Sequence, residues 1–479
     1  GARNIAIGLA ALEAQNFTTA TNSYNTAIGY DAGNDITTGV NNTIVGGLAG
    51  DALTDADNNV AIGGEALSSD TLGSLSTAVG LQALANQNFT TATNSFNTAI
   101  GAEAGEQVTT GTVNTLIGAR AGDALTTGSN NVALGGGALG ADDVGNKTVS
   151  IGVDSLASQN FTTATDSFNV AVGYGAANGI TTGVQNTLIG GLAGDVLTDA
   201  DYNVAIGYGA LTADTLGSRS VAIGMEALAD QNFTTATNTY NVAIGFNAGV
   251  NVTTGTLNTL IGGLAGDALT AADSNTAIGY VALSSDTRGE RAIAIGEGAL
   301  FSQNFTTETN NYNVAIGYNA GYSVTTGKYN TFVGGLAGDA TDDGEGNTAV
   351  GYLALSANCG DHNTAVGSGA LTVCTGQQNT AVGENAGKSV TSGIQNTFMG
   401  VDSGDAITSS NYNVGLGYGA ISLDTLGSRT TAVGTFALDS QNFTTATDTH
   451  NTAVGYGAGQ GITTGLENTI IGGNAGDAL

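Results

Sequence analysis

Few side chains in this sequence are equipped for chemistry, and their spacing is the first thing to weigh. His362 and His450 are the only histidines. They stand far apart, and neither has a Cys or Ser nucleophile at a suggestive distance along the chain. Carboxylates are plentiful, 40 Asp and Glu against 9 Lys and Arg, and they gather in loops such as Gly50-Asp51-Ala52-Leu53-Thr54-Asp55-Ala56-Asp57. Oxygen ligands at alternate positions are what a calcium ion takes, so calcium is the one ion these loops suggest. The favoured reading is that they are solvated loops and that the chain carries no cofactor and no metal. Paired carboxylates recur in near-identical copies, which argues for structure, and the chain is expected not to be an enzyme.

Aromatic rings offer binding rather than catalysis. Phe17, Phe89, Phe161, Phe233, Phe305 and Phe443 each stand in a Gln-Asn-Phe-Thr-Thr segment. Exposed, they could stack on sugars of a host receptor. The stronger expectation is that each folds back as a plug, because large apolar groups left in water are a liability. Cys359 and Cys374 fall at nearly the same place in successive repeats, a spacing compatible with a disulfide in an oxidising compartment. The alternative is that each is a small apolar core residue. Thr-Thr-Gly turns at 37–39, 109–111 and 253–255 raise an ice-binding face, which would need Thr on every coil.

The element that positions all of these is five residues long, Asn25-Thr26-Ala27-Ile28-Gly29, repeated with small variations through the chain. The closing glycine recurs twenty-seven times, mostly at the interval of 17 that separates Gly29, Gly46, Gly63 and Gly80. A short fixed period of this kind marks a solenoid, one coil per repeat. The fold expected is therefore all-β, a parallel β-solenoid over 1–479 as one continuous domain, with a rod length of about 125 Å at ~4.8 Å per coil. Spacings of 21, 17, 17 and 17 make a superrepeat of 72, the step from Phe17 to Phe89 to Phe161, with the long coil carrying the Phe insert. Over 352–383 two coils of 16 interrupt the rhythm. With 76 Gly and no Pro or Trp, the coils are built from small side chains and tight turns.

Columns read across the coils predict the packing. The residue before the glycine is aliphatic (Ile28, Val45, Ile62, Val79) and is expected to face a packed interior. The residue before that is mostly Ala, and strand alternation turns it to the opposite face. Ala27, Ala61, Ala78 and Ala99 are accordingly expected at an interface with identical subunits, since strands apolar on both faces need cover. Asn four residues before the glycine is expected to form a hydrogen-bonded ladder and to accept left-handed turn geometry.

A net charge of -31 repels phosphate backbones and anionic lipid heads, so neither nucleic acid nor membrane contact is expected. No apolar run is long enough to span a bilayer. The sequence opens and closes inside a repeat, and is expected to be a section of a longer chain.

The column in Asn203-Val204-Ala205-Ile206-Gly207-Tyr208-Gly209-Ala210 resembles the head repeats of trimeric autotransporter adhesins of the YadA-like kind, and equally the repeats of phage tail fibres. The run from Asn363-Thr364-Ala365-Val366-Gly367 to Asn379-Thr380-Ala381-Val382-Gly383 is nearest the fibre form. The resemblance implies a left-handed β-roll, a homotrimer with small residues at its axis, and a fibre shaft or adhesive head. Such an appendage is extracellular or borne on a virion and contacts a host-surface glycan or protein. The coils of this chain are longer than that adhesin family's, so longer loops are expected.

Overall fold

The computed structural model describes residues 1–478. Every regular element among them is a short β-strand, and the chain winds as a parallel β-solenoid of about 27 turns. Two compact units, Gly1–Tyr240 and Asn241–Leu479, are built on one plan. The first holds thirteen strands of three residues, from Ile5–Ile7 to Val221–Ile223, and the second fourteen, from Val242–Ile244 to Thr469–Ile471. Within each unit a strand pairs in parallel with its neighbour, motif upon motif, as in Ala27↔Ile44 and Leu260↔Ala277.

The motif glycine ends each strand. At Gly29, φ is +146° and an added Cβ would lie 2.3 Å from the carbonyl oxygen of Gly46. No side chain fits there, and the left-handed φ excludes other residues independently. The coils thus stack backbone on backbone at every bend.

The expected facing of the strand is reversed. Ala27, Ala61, Ala78 and Ala99 have no solvent exposure within the single chain, so they line the inside of the coil and are not an interface with other subunits. The aliphatic column points outward instead, with Ile62 and Ile100 37% and 40% exposed. The physical reason is that the space behind the strand is already filled by other buried side chains such as Ile36 and Ile44. Room is left there for Ala, and the bulkier β-branched column takes the open side.

Size compensation completes the interior. Where the inward residue is large, as at Ile44, Leu116, Phe332 and Phe398, the residue four after the glycine is Gly in that coil and the one before it. Cβ atoms added at Gly33 and Gly50 would both meet Ile44 Cδ1 at 3.1 Å, and those added at Gly321 and Gly338 would meet the Phe332 ring at 2.9 and 2.6 Å. In the remaining coils, where the inward residue is Ala or Ser and the next coil brings no large one, that position can carry a buried Leu, as at Leu67, Leu84, Leu139 and Leu156. This exchange keeps the volume inside the coil filled, as close-packed interiors require.

Around the slip at 352–383 the ladder continues unbroken, with Ala349↔Ala365 and Ala365↔Ala381 in register. The lost residues come out of loops, not out of the sheet.

Candidate functional site

The polar spine of each coil is the Asn column. Asn42 donates its backbone N–H to Asn25 Oδ1 at 2.9 Å, and Nδ2 to the carbonyl of Ala56 at 2.7 Å; Asn59 repeats both contacts one coil on. The expected ladder is therefore present, as side chain to main chain. The left-handed position is not Asn itself but the residue before it, where Tyr24, Asn41, Asn58 and Leu75 all have φ between +50° and +64°.

Before five of the Phe inserts the Asn is replaced, by Ser76, Thr148, Ser220, Ala292 and Thr430, and a buried cross-tie takes over. Asp70 Oδ1 accepts from the backbone N–H groups of Gly73 and Phe89, each at 3.0 Å. Gln87 Nε2 donates to Asp70 Oδ2 at 2.6 Å and to Ser76 Oγ at 2.8 Å. Gln87 Oε1 accepts from Asn97 Nδ2 at 2.8 Å, returning the chain to the Asn ladder. The Asp–Gln contact recurs at Asp142–Gln159, Asp214–Gln231, Asp286–Gln303 and Asp424–Gln441. Burial pushes the carboxyls of Asp70, Asp142, Asp214 and Asp286 above the usual range, against the pull of these N–H donors. Reading the sequence did not find this site. Its signal was a column seven after the glycine that is otherwise apolar: Ile36, Leu53, Val108 and Leu125.

These cross-ties seat the Phe inserts. Phe89, Phe161, Phe233, Phe305 and Phe443 are 5–7% exposed, and Phe17 is half-buried. The rings are plugs, and the five buried ones offer no surface for a receptor sugar. Each of those five inserts also adds a two-residue parallel pairing, as in Gly73↔Thr93 and Ser74↔Asn94.

Exposed aromatic groups lie seven residues further on, at the left-handed position, among cations. In the first unit Arg3 lies 5.4 Å over the Tyr24 ring, Lys147 5.1 Å over Phe168, and Arg219 between Tyr202 and Tyr240 at 4.7 and 5.9 Å. In the second, Arg291 covers Tyr312 at 5.7 Å, Arg429 covers Tyr412 at 5.3 Å, and Tyr312 stacks on Tyr329. Both histidines, His362 and His450, are exposed in the same column. Five of the 9 Lys and Arg thus share one column in a chain of net charge -31. Six of its rings, Tyr24, Phe168, Tyr202, Tyr240, Tyr312 and Tyr412, are covered by the protein's own cations, each such contact contributing roughly 0.5–1 kcal/mol at exposed sites.

Of the two readings of the cysteines, the structure has the small buried core residues and not the disulfide. Cys359 and Cys374 are free and buried. Thr341 Oγ1 lies 3.3 Å from Cys359 Sγ, and Asn379 Nδ2 donates to Cys374 Sγ at 3.5 Å. They stand where other parts of the chain carry the buried Asp and Gln, and with no insert to seat, two small weakly polar groups fill that space. Burial pushes the Cys374 thiol up to about 12.

Asp-rich loops tie coil to coil. Asp57 Oδ1 accepts from the Val40 N–H at 2.7 Å, and Asp55 Oδ1 from Thr38 Oγ1. Among the described residues no three His, Cys, Asp or Glu side chains gather to hold a metal ion. Compared with known proteins, the chain matches no family model and no curated sequence.

Proposed function

We propose that this chain is a structural section of a fibrous appendage, carried outside a cell or on a virion, whose copies associate side by side as a homotrimer. The carrying observation is the outward strand face. Column after column it presents Ile or Val beside Thr or Val, only partly covered by its own chain. A continuous apolar stripe on a chain otherwise rich in acidic loops calls for a partner, and closed rotational symmetry supplies one from identical copies. The recurrence of the Asp–Gln cross-tie at Asp70, Asp142, Asp214 and Asp286 keeps the same step as the Phe inserts and supports the four-coil superrepeat. Buried carboxylates already committed to N–H donors support a role without catalysis. The resemblance to adhesin heads and tail fibres agrees with this reading, and contact with a host surface is its natural purpose.

Sedimentation of the soluble chain tests it. A trimer is expected, and the double variant Ile62→Lys/Ile100→Lys should sediment as a folded monomer. A folded monomer in the unaltered chain would sink the proposal. Ice binding keeps one observation in its favour, the outward Thr of many strands, including Thr26, Thr43, Thr77, Thr98 and Thr115. A thermal-hysteresis assay separates the two.

A further inference from the structure

The first residue after the motif glycine forms a column of its own, and from Phe246 to Tyr352 in the second unit it follows a regular alternation. Phe246, Tyr280, Tyr318 and Tyr352 occupy every second coil. The coils between carry Gly263, Glu297 and Gly335. The four rings are 53–57% exposed, uniform for such large apolar groups. Unlike the rings of the cation-bearing column, none of the four has a cation over its face. The ring of Tyr280 reaches beside Gly263, where an added Cβ would meet Cδ2 at 3.5 Å, and Tyr352 reaches beside Gly335 in the same way at 3.7 Å. One edge of each of these two rings lies against the neighbouring coil, and more than half of each of the four side chains is open to solvent.

The spacing of these rings is held by main-chain bonds directly beneath them. The carbonyls of Phe246, Gly263, Tyr280, Glu297, Tyr318 and Gly335 accept from Leu264, Val281, Gly298, Asn319, Leu336 and Leu353 of the following coils at 2.9–3.2 Å. Two coils at ~4.8 Å set successive rings about 9.6 Å apart, and four rings span about 29 Å.

We propose that these four rings are a binding rail for an extended, neutral β-1,4-linked glycan lying along the coils. A β-1,4-linked hexose chain is a flat two-fold ribbon that repeats once per disaccharide, and that repeat is close to the ring interval. Each ring then meets an equivalent sugar, whose axial C–H face packs on an aromatic face. Glu297, exposed between Tyr280 and Tyr318, accepts from sugar hydroxyls. A net charge of -31 disfavours acidic polysaccharides and leaves neutral ones. α-Linked or β-1,3-linked chains coil, and cannot keep step with a straight row of rings. The inference deepens the host-contact part of the function proposed above and rests on it.

Affinity electrophoresis of the intact chain through gels containing hydroxyethylcellulose, laminarin or pullulan tests the rail. Retardation by the β-1,4 glucan alone is expected, with Tyr280→Ala/Tyr318→Ala binding about tenfold more weakly, the loss of about 1.4 kcal/mol. Tyr329→Ala, in the cation-bearing column, should bind as the unaltered chain does. On the unaltered protein, cellohexaose should displace the polymer at far lower concentration than cellobiose, because it engages several rings at once. No retardation, equal retardation by pullulan, or full binding by the double variant would overturn the proposal. So would a change in sedimentation of that variant, which would mark the rings as contacts between copies. A chain that assembles but ignores the glucan loses only the rail; one that binds it as a monomer loses only the trimer.

Discussion

Gln87 Nε2 donates to Asp70 Oδ2 at 2.6 Å across one step of the coil, with both side chains fully shielded from solvent. The pair is the point at which a long coil is fastened to its neighbour, and removing either member leaves buried groups unsatisfied. Gln87→Leu takes a donor from Asp70 and an acceptor from Asn97 together. A loss of about 1–3 kcal/mol is expected, read as a lower urea midpoint, whereas Asn86→Ala in the exposed loop should leave the midpoint in place.

The same buried carboxyls set a pH dependence. Asp70, Asp142, Asp214 and Asp286 have folded-state pKa values raised by burial, so the folded chain holds protons more tightly than the unfolded one. Their contribution is fully present below the ordinary carboxylate pKa and is lost as pH rises through the raised values. The melting temperature should therefore rise when neutral solution is mildly acidified. A Tm that falls steadily from pH 7 to 5 would contradict the burial of these groups.

Core complementarity predicts coupled substitutions. Gly338→Ala drives a methyl against the Phe332 ring, 2.6 Å away, at a residue with φ of +60°. It should cost about 1–3 kcal/mol by overpacking, and part of that should return in the double variant with Phe332→Leu. Additive effects in the double-mutant cycle would mean the two positions do not meet.

Ala61 and Ile62 should respond in opposite ways to charge. Ala61→Glu places a carboxylate inside a coil with no room or partner, and should abolish folding. Ile62→Glu puts the same group on the outward face and should leave a folded chain. Circular dichroism distinguishes the pair directly.

The thiols should be silent until the chain opens. Burial and the raised pKa of Cys374 keep the thiolate scarce, so iodoacetamide at neutral pH should label neither cysteine in the native protein. Both should react in denaturant without any reductant, and a bridged peptide by mass spectrometry would reinstate the disulfide.

The coil period, strand position and plugging Phe residues were legible in the sequence because repetition exposes them. The facing of the strand was not. Ile28 and Ala27 are both apolar, and the habit of assigning the larger to the core fails when the space behind the strand is already filled by other buried side chains such as Ile36 and Ile44. The pairing of Asp70 with Gln87 was hidden because both sit in loop-like, polar stretches. Only their place in the same column as Ile36 and Leu53 gave them away, and a column seven residues past the glycine reads as a loop until its burial is known.

The exchange of large inward residues for Gly has a consequence for how such a chain changes length. Ile44, Leu116, Leu188, Leu260, Phe332, Phe398 and Ile470 fall on every fourth coil, and this count persists through 352–383 where the loops lose their rhythm. Loops can be trimmed or extended one at a time. Whole coils cannot, since deleting one sets a Leu against a Phe or leaves two glycines facing a void. The interior therefore behaves as a reading frame counted in fours, and variants of different length that fold should differ by multiples of four coils.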